Sequence, residues 1–500
     1  MKISRRKAIR NTLTIAAGSS IMTSISKSSL ASDQERSSKT YSLKREVPVE
    51  EHFDLLVAGG GPAGVSAAVC AARLGARVLL VEATGCLGGM GTSAYVCAWD
   101  PMANGEQMLV GGFMRELVET MYERKFLSPG IDPKTWRRDY HKWTPFSPEG
   151  LKLILDEKIM DAGVELRYFT KVIDADVETK EKVVNGVVIS NIEGYSFIKA
   201  KKFIDATGDA VLSGLCGAPY REAGVDTPHI MPATLPHIYS NIDWSKKQSF
   251  ATQSAQGVEL LEKEYELGNL TQNDRHIVGI SKIGNTIGYF NGGHIFNMRA
   301  TKITDLTEGM ILGRKIAREY QNFMKKHFSP FQNMEMVATA SVMGVRESRR
   351  ILGEYELNET DYLAKRSFPD QIGIFNKSID IHPYDTSIEE YERFKKEYRE
   401  TGRLKVGEYF GIPYSVLVPK GWQNLWTAGR CVSADVKVQG SIRVQPAASM
   451  MGQAAGTAAV QSLKTGQPAC DLDTERLIST LRTEGANLPQ KKLSKKMTRS

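Results

Sequence analysis

Three glycines near the start of the chain have the spacing of a phosphate-binding turn. Gly59, Gly61 and Gly64 follow the apolar run 53–58 in a G-x-G-x-x-G pattern. The first glycine permits a tight turn and the second lets the backbone approach a pyrophosphate, while the third lets a helix pack closely on a strand. The pattern predicts a dinucleotide site at the end of a buried strand.

The residues after these glycines complete a strand–turn–helix–strand unit. Pro62 and Ala63 open a helix of small residues, whose free N–H groups would face the phosphates. The second strand, 77–81, ends in Glu82, a carboxylate that can accept hydrogen bonds from both ribose hydroxyls. An ordinary strand–turn–helix corner would need only the glycines. The matching flanks therefore favour dinucleotide binding.

Two later segments are predicted to close over the same nucleotide. The loop CLGGMGT has few bulky side chains, so its backbone can approach a flat ring or a phosphate. The run DATGD ends an apolar strand in a small, tight turn. The predicted cofactor contacts in these segments are Gly88, Gly89, Met90, Thr207, Gly208 and Asp209.

The run 424–463 adds a charged residue beside a helix start. Pro446 suits the first position of a helix, whose positive end could stabilise the anionic N1–C2=O edge of a reduced flavin. Arg443 could add a full charge there, or it could pair with a structural carboxylate. The predicted cofactor contacts in this run are Gly429, Arg430, Gly452 and Gln453.

Two histidines and two arginines are the candidates for catalysis and substrate binding. His294 and His382 could move a proton, because the unperturbed pKa of histidine lies near neutral; a structural role is the alternative for each. Arg346 and Arg349, in GVRESRR, could anchor a carboxylate or a polyhydroxylated substrate. The alternative for this charged run is that it solvates a face or pairs with its own glutamate.

The pattern along the chain predicts an α/β fold. The unit around the first glycines belongs to a Rossmann-type parallel sheet, and three alternating runs between 164 and 209 predict an antiparallel meander that returns to it. An inserted α+β substrate domain interrupts this domain. The predicted divisions are a signal peptide (1–31), a linker (32–51), a first dinucleotide-domain part (52–215), a substrate or cap domain (216–405), a second dinucleotide-domain part (406–465) and a C-terminal extension with a basic tail (466–500).

The two ends of the chain account for its formal net charge of +8. The start carries Arg5-Arg6, a modestly apolar segment 13–25 and Ser29-Leu30-Ala31, which together predict a twin-arginine export signal. A disordered basic N-terminus is the alternative. The apolar segment is too weak for a membrane span, and the charge of the remaining body argues against nucleic-acid binding. We expect a periplasmic or secreted protein.

Six cysteines are scattered without a C-x-x-C pair or a cluster spacing. This argues against iron–sulfur and zinc sites, and no metal centre is predicted. Pairing of Cys86 with Cys97 is open, although buried free thiols are the simpler interpretation.

Several motifs in order carry a resemblance to a known family. GGGPAG with Glu82, CLGGMGT, DATGD, GVRESRRILGEY and the run from NLWTAGR to MGQAAGTAA resemble the FAD-dependent oxidoreductases with a glutathione-reductase-type flavin domain. They are distantly similar to flavoproteins of the heterodisulfide reductase kind, without the iron–sulfur cysteines. The resemblance implies FAD and an insert that faces the isoalloxazine. Ala428-Gly429-Arg430 replaces the Gly-Asp pair that binds ribitol in many relatives, so that contact is not carried over.

The predicted function is an exported FAD-dependent oxidoreductase that transfers two electrons between flavin and a small polar organic substrate. The direction of transfer stays open. Because no second G-x-G-x-x-G unit follows, electrons would come from the organic substrate itself or from a partner protein that docks transiently. The alternatives are a non-redox flavin-dependent isomerase or hydratase, and a binding protein that retains FAD.

Overall fold

The computed structural model describes residues 41–138, 143–246, 255–276 and 278–489. The chain divides into Met1–Glu46, of which residues 41–46 are described and contain no helix or strand, and a compact unit that begins at Val47. The predicted signal peptide and the lysines of the predicted basic tail lie outside the described residues.

The compact unit contains both helices and strands. The strands are β1 (Val49–Ala58), β2 (Val78–Val81), β3 (Ala98–Trp99), β4 (Thr144–Pro145), β5 (Glu165–Arg167), β6 (Lys171–Glu178), β7 (Val183–Asn191), β8 (Gly194–Asp205), β9 (Tyr220–Glu222), β10 (Ala233–Thr234), β11 (His237–Ser240), β12 (Ser281–Lys282), β13 (Gly288–Phe290), β14 (His294–Ile295), β15 (Glu335–Thr339), β16 (Arg349–Ile351), β17 (Gln371–Phe375), β18 (Phe410–Pro413) and β19 (Leu425–Thr427). The α-helices are α1 (Pro62–Arg73), α2 (Gly112–Glu123), α3 (Pro148–Asp161), α4 (Val211–Leu215), α5 (Ala255–Glu266), α6 (Ile303–His327), α7 (Glu359–Leu363), α8 (Ile388–Lys395), α9 (Val436–Ile442), α10 (Gln445–Thr465) and α11 (Thr474–Thr483).

The main sheet has the order β5-β2-β1-β8-β7-β6, and β19 also pairs with β8. Strands β5, β2, β1, β8 and β19 are parallel to their neighbours, whereas β6, β7 and β8 form an antiparallel meander. On one edge, the first half of β8 pairs with β7 and its last three residues pair with β19. This arrangement confirms the predicted Rossmann-type α/β fold with its meander.

Two helices of small residues, α1 and α10, pack against each other with their backbones in close contact. A Cβ atom on Gly452 of α10 would lie 2.0 Å from the carbonyl oxygen of Ala63, and one on Gly456 would lie 2.3 Å from that of Ala67. Because neither glycine can gain a side chain without moving α1, these residues fix the close approach of the two helices. Helix α10 thus holds the late part of the chain against the first strand–helix unit.

The elements between residues 216 and 405 lie outside the main sheet. Strands β12, β13, β11 and β15 form a four-stranded antiparallel sheet, and α6 packs beside it over a core that includes Tyr239, Phe290 and Tyr320. Strand β18, beyond the predicted boundary at residue 405, pairs with β17 inside it. Among the described residues, no helix is long and apolar enough to cross a membrane.

Candidate active site

A cavity of about 760 Å³ runs from the glycine turn after β1 to a group of buried histidines and arginines. Its walls come from the glycine turn after β1, the turn after β8, the cap elements between residues 216 and 405, and the start of α10. The predicted residues that line it are Gly59, Gly61, Pro62, Ala63, Glu82, Gly89, Met90, Thr207, Gly208, Asp209, Arg346, His382, Gly429, Arg430 and Arg443.

The glycine turn leaves an open cradle at one end of this cavity. A Cβ atom on Gly59, where φ is +99°, would lie 2.6 Å from the carbonyl oxygen of Ala206, so only glycine fits. A Cβ on Gly61 would meet nothing within 4 Å, because that position faces the cavity. Gly61 also precedes Pro62 at the start of α1, whose N-terminal end suits a phosphate. The cradle therefore fits a pyrophosphate.

Glu82 lies beside this cradle and is largely buried. Its Oε2 atom accepts a hydrogen bond from the Gly60 N–H at 2.7 Å, and its Oε1 atom accepts two from Thr84. Since a carboxylate oxygen has two lone pairs, Oε2 keeps one acceptor position for a ribose hydroxyl. The residues thus fit the adenosine end of FAD.

Buried Asp205 shapes the turn after β8. Its carboxylate accepts hydrogen bonds from the N–H and hydroxyl groups of Thr207 and from the N–H of Ser213. Burial raises the pKa of Asp205 despite these bonds. Arg430 then ties the turn to the C-terminal strand, because it donates to the carbonyl of Gly208 at 2.9 Å and pairs with Asp209 at 2.6 Å.

Four predicted cofactor contacts lie outside the cavity wall. A Cβ on Gly64 would lie 1.7 Å from the carbonyl oxygen of Gly59, and Gly88 donates its N–H to the carbonyl of Gly60 at 2.8 Å. Gly452 packs against α1, and Gln453 accepts from the Phe113 N–H at 3.2 Å. Gly64 thus has the helix-packing role predicted for the third glycine. The structure corrects the other three predictions, because Gly88, Gly452 and Gln453 hold the scaffold around the cradle rather than line it.

At the opposite end, three histidines from separate segments meet. His294 Nε2 lies 2.9 Å from His382 Nδ1, and the His276 ring stacks on that of His294 at 5.2 Å between centroids. Asp274 lies 3.2 Å from His294 Nδ1 and accepts a hydrogen bond from the His294 N–H. Asp380 lies 3.4 Å from His382 Nε2. His382 and His276 line the cavity, whereas His294 lies behind them.

These groups form a row, Asp274–His294–His382–Asp380. Asp274 has a lowered pKa, because the charges and hydrogen bonds of His294 outweigh its burial. As an ionised carboxylate it can only accept, so His294 Nδ1 carries a proton. Burial first, and then the charge of Arg346, lowers the pKa of His382 well below its usual range. The neutral His382 ring carries one proton, so one of its two nitrogens can accept another.

The four cationic side chains of the cavity wall differ in their partners. Lys377 pairs with Asp100, Arg430 with Asp209 and Arg443 with Asp380, the last at 3.2 Å. Arg346 is 6% exposed and donates to the carbonyl of Pro232 at 2.7 Å and, at 3.5 Å, to the Thr234 hydroxyl. No carboxylate in the described part of the chain lies within 4.0 Å of its guanidinium.

Arg349 does not reach the cavity. It lies in β16, where its guanidinium is 3.7 Å from Glu222 and 4.9 Å from the centre of the Tyr220 ring. The structure thus corrects the prediction that both arginines of this motif anchor a substrate. The solvated-face alternative is wrong for the motif as a whole, because Arg346, Glu347 and Arg350 are buried. Pairing with its own glutamate is confirmed for Arg350, whose guanidinium lies 3.7 Å from Glu347.

Several polar residues of this end were not predicted from the sequence. Asp274 and His276 lie in an aperiodic segment, and Asn291 and Thr234 lie on different cap strands and loops. A histidine close to an aspartate, as in DRH at 274–276, was the only local signal.

The cysteines and the histidines bear on metal binding. None of the six cysteines, all within the described ranges, forms a disulfide, so the Cys86–Cys97 pairing is absent from this structure. His276, His294 and His382 offer nitrogen atoms within 4.8 Å of one another, a spacing that a metal ion could span. The expected absence of a metal centre stays a prediction.

The glycine turn, the ribose-side carboxylate and the parallel sheet define a dinucleotide-binding protein of the Rossmann type. The chain belongs to the FAD dependent oxidoreductase family, which it matches over residues 54–481. This confirms FAD as the cofactor and an FAD-dependent enzyme as the class of protein.

Other similarities are more distant. The chain is 27% identical over 180 residues to the soluble pyridine nucleotide transhydrogenase of Marinomonas sp. (strain MWYL1), a match that covers 36% of this chain and 33% of that relative. Among solved structures it is similar to a geranylgeranyl bacteriochlorophyll reductase-like protein from Thermoplasma acidophilum, with a TM-score of 0.45, 11% identity and coverage of 87% and 83% of the two chains. For p-nitrophenol 4-monooxygenase from Pseudomonas putida DLL-E4, the TM-score is 0.42, the identity 11% and the coverage 87% and 81%.

Proposed function

We propose that this enzyme oxidises a small polar organic molecule by removing a hydride from carbon and a proton from oxygen. The observation that carries the proposal is the continuity of one cavity, which joins the dinucleotide cradle at Gly61 to the neutral His382 of the histidine row. Because FAD would occupy the cradle end of this cavity of about 760 Å³, only the histidine end is left for the substrate, which favours a small molecule over a polymer.

The residues that would hold FAD are those of the cradle, Glu82, the turn after β8 and the start of α10. Bound FAD supplies a two-electron acceptor for hydride. The polypeptide has to orient the substrate, exclude water and remove a proton. These tasks can be performed at the buried polar end of the cavity, opposite the adenosine side.

His382 accepts the proton in this proposal. As the C–H electrons leave the substrate and its C–O bond becomes a carbonyl, the hydroxyl proton passes to His382 Nε2. Asp380 stabilises the resulting imidazolium from one side, while the hydrogen bond to His294, itself oriented by Asp274, fixes the ring from the other. This step requires that neutral His382 carries its own proton on Nδ1, toward His294. A neutral base beside the cavity favours oxidation of the substrate over its reduction.

We also propose that the flavin domain is of the glutathione-reductase type. Support comes from the β1–α1–β2 unit, the meander β6–β8 and the return strand β19. The twin-arginine pattern at Arg5-Arg6 supports export of the folded holoenzyme. Sequencing the N-terminus of the protein from periplasmic and cytoplasmic fractions tests export, because cleavage is expected after Ala31.

Anaerobic spectroscopy of the FAD-loaded enzyme tests the proposed reaction. We expect one member of a panel of small hydroxy acids, polyols and amino acids to bleach the flavin, with a carbonyl product formed in equal amount. Conversion of a substrate without net bleaching would instead indicate an isomerase or hydratase. Binding without either change would indicate a binding protein. The variant His382→Asn should bind the same substrate and bleach far more slowly.

A further inference from the structure

Arg346 stands out among the cations of the cavity wall, since the other three each have a carboxylate partner. A buried guanidinium without a counter-ion is costly, because the loss of hydration is not offset by an ion pair. Burial and the nearby charge of Arg443 lower the pKa of Arg346 to about 9, so it is charged at neutral pH. The fold therefore holds a positive charge against the cavity with no carboxylate in contact with it, since Asp380 and Asp274 act on Arg346 only from a distance.

We propose that the substrate carries a carboxylate and that Arg346 binds it. This inference rests on the proposed function, because it places the carboxylate beside the histidine row. One Arg346 nitrogen is occupied by the carbonyl of Pro232, and the remaining N–H groups are available for a planar, two-oxygen partner. A carboxylate has that shape and supplies the missing counter-charge.

Neighbouring polar groups extend this subsite. The Thr234 hydroxyl donates to Asn291 Oδ1 at 2.6 Å, and both residues line the cavity next to Arg346. The Asn291 amide nitrogen can therefore donate to a further oxygen of the ligand. Together with the proton-accepting His382, the arrangement suits a small hydroxy acid, in which a carboxylate and an oxidisable hydroxyl lie a few atoms apart.

The charges at this end of the cavity suit an anionic ligand better than a metal cation. The three histidine nitrogens have a spacing that a metal ion could span, but Arg346 and Arg443 both place positive charge near His382, and their charges lower its pKa. The same repulsion opposes a divalent cation. It favours a ligand with negative charge.

Binding to the FAD-loaded enzyme tests the proposal independently of turnover. The probes are glycolate, lactate, malate and gluconate, each compared with its uncharged methyl ester, and binding is read as a change in the flavin spectrum without oxygen. We expect at least one acid to bind about tenfold or more tightly than its ester. Arg346→Met should abolish this preference, whereas Arg346→Lys should retain part of it.

Arg349→Met is the matched control, because it removes a positive charge three residues away that does not face the cavity; it should keep the preference. FAD content and melting temperature establish that the variants fold. Arg346→Met should melt no lower than the wild type without ligand, since it removes an uncompensated charge. The proposal would be overturned if acids and esters bound equally, or if the preference for acids survived Arg346→Met. It would also be overturned if none of the acids bound, or if chloride bound as tightly as the acids. Acid-specific binding without bleaching would leave it standing while contradicting the proposed oxidation.

Discussion

The two ends of the cavity are built from different parts of the polypeptide. The dinucleotide end consists of backbone atoms from a few contiguous residues, such as Gly59 to Gly61, with one carboxylate at Glu82. The opposite end is assembled from side chains of separate segments, with Asp274, Arg346 and His382 as its main charged or titratable members. A site made of backbone leaves a local sequence pattern, whereas a site made of convergent side chains does not.

The largest expected effect comes from filling the backbone end. Gly61→Val adds a side chain where nothing lies within 4 Å of the Cβ position, so the fold is preserved while the pyrophosphate space is blocked. We expect FAD affinity to fall by about a thousandfold or more, or roughly 4 kcal/mol. Flavin content after purification and calorimetric titration with FAD measure this.

Gly214→Val is the matched control for that variant. A Cβ at Gly214 would meet no atom closer than 3.5 Å and lies outside the cavity wall, so this variant should keep its flavin. A Gly61→Val protein with normal flavin content would show that the cradle does not hold the pyrophosphate.

At the side-chain end, His382→Asn should slow anaerobic flavin reduction by roughly 10²- to 10⁴-fold, the usual contribution of a general base. FAD affinity should stay unchanged, because His382 lies at the far end from the cradle. Stopped-flow absorbance measures the rate. His229→Asn, at an exposed histidine that stacks on Tyr384, is the control and should leave the rate unchanged. A His382→Asn rate near that of the wild type would rule out this residue as the proton acceptor.

The pH dependence of ligand binding should report Arg346. Burial and the charge of Arg443 lower its pKa to about 9, and the guanidinium stays charged at and below neutral pH. The preference for an acid over its methyl ester should therefore stay constant as the pH falls from about 8 to about 5. The charged and titratable groups around Arg346 are Arg443, Asp380, Asp274, His276 and His382. A preference that appears only as the pH falls through about 6.5 would contradict the assignment, because a histidine rather than Arg346 would then supply the charge.

The smallest effect is expected from Arg443→Met. Loss of its positive charge should make the reduced flavin less stable and lower the potential by about 20 to 40 mV, equivalent to roughly 1–2 kcal/mol for two electrons. A redox titration measures the shift, and the exposed Arg366 offers a control as Arg366→Met. An unchanged potential would mean that Arg443 serves only to hold Asp380.

The contrast between the backbone end and the side-chain end of the cavity also explains which features the sequence could predict. The β1–α1–β2 unit and the meander were predictable, because their apolar periodicity and glycine spacing are local. The role of Gly452 was not, since a glycine that admits a neighbouring helix has the same sequence signal as one that admits a ligand. The run that contains Gly452 was correctly assigned to the flavin domain, but Gly452 itself contacts α1.

The side-chain end was only partly predictable for a related reason. His294 and His382 were suggested by residue type, yet their contact joins positions 88 residues apart and depends on the cap fold. Arg346 and Arg349 lie three residues apart, but only Arg346, in the loop before β16, faces the cavity. Asp274 and His276 were missed, because no periodic pattern surrounds them.

A single-turnover measurement without oxygen tests most directly whether both ends of the cavity serve one reaction. The FAD-loaded wild type, mixed with the hydroxy acid that binds most tightly, should lose its oxidised-flavin absorption while one carbonyl product forms per flavin. Arg346→Met should do so only at far higher acid concentration. A colourless protein that takes up no FAD, or a flavin that none of the acids reduces, would contradict the account.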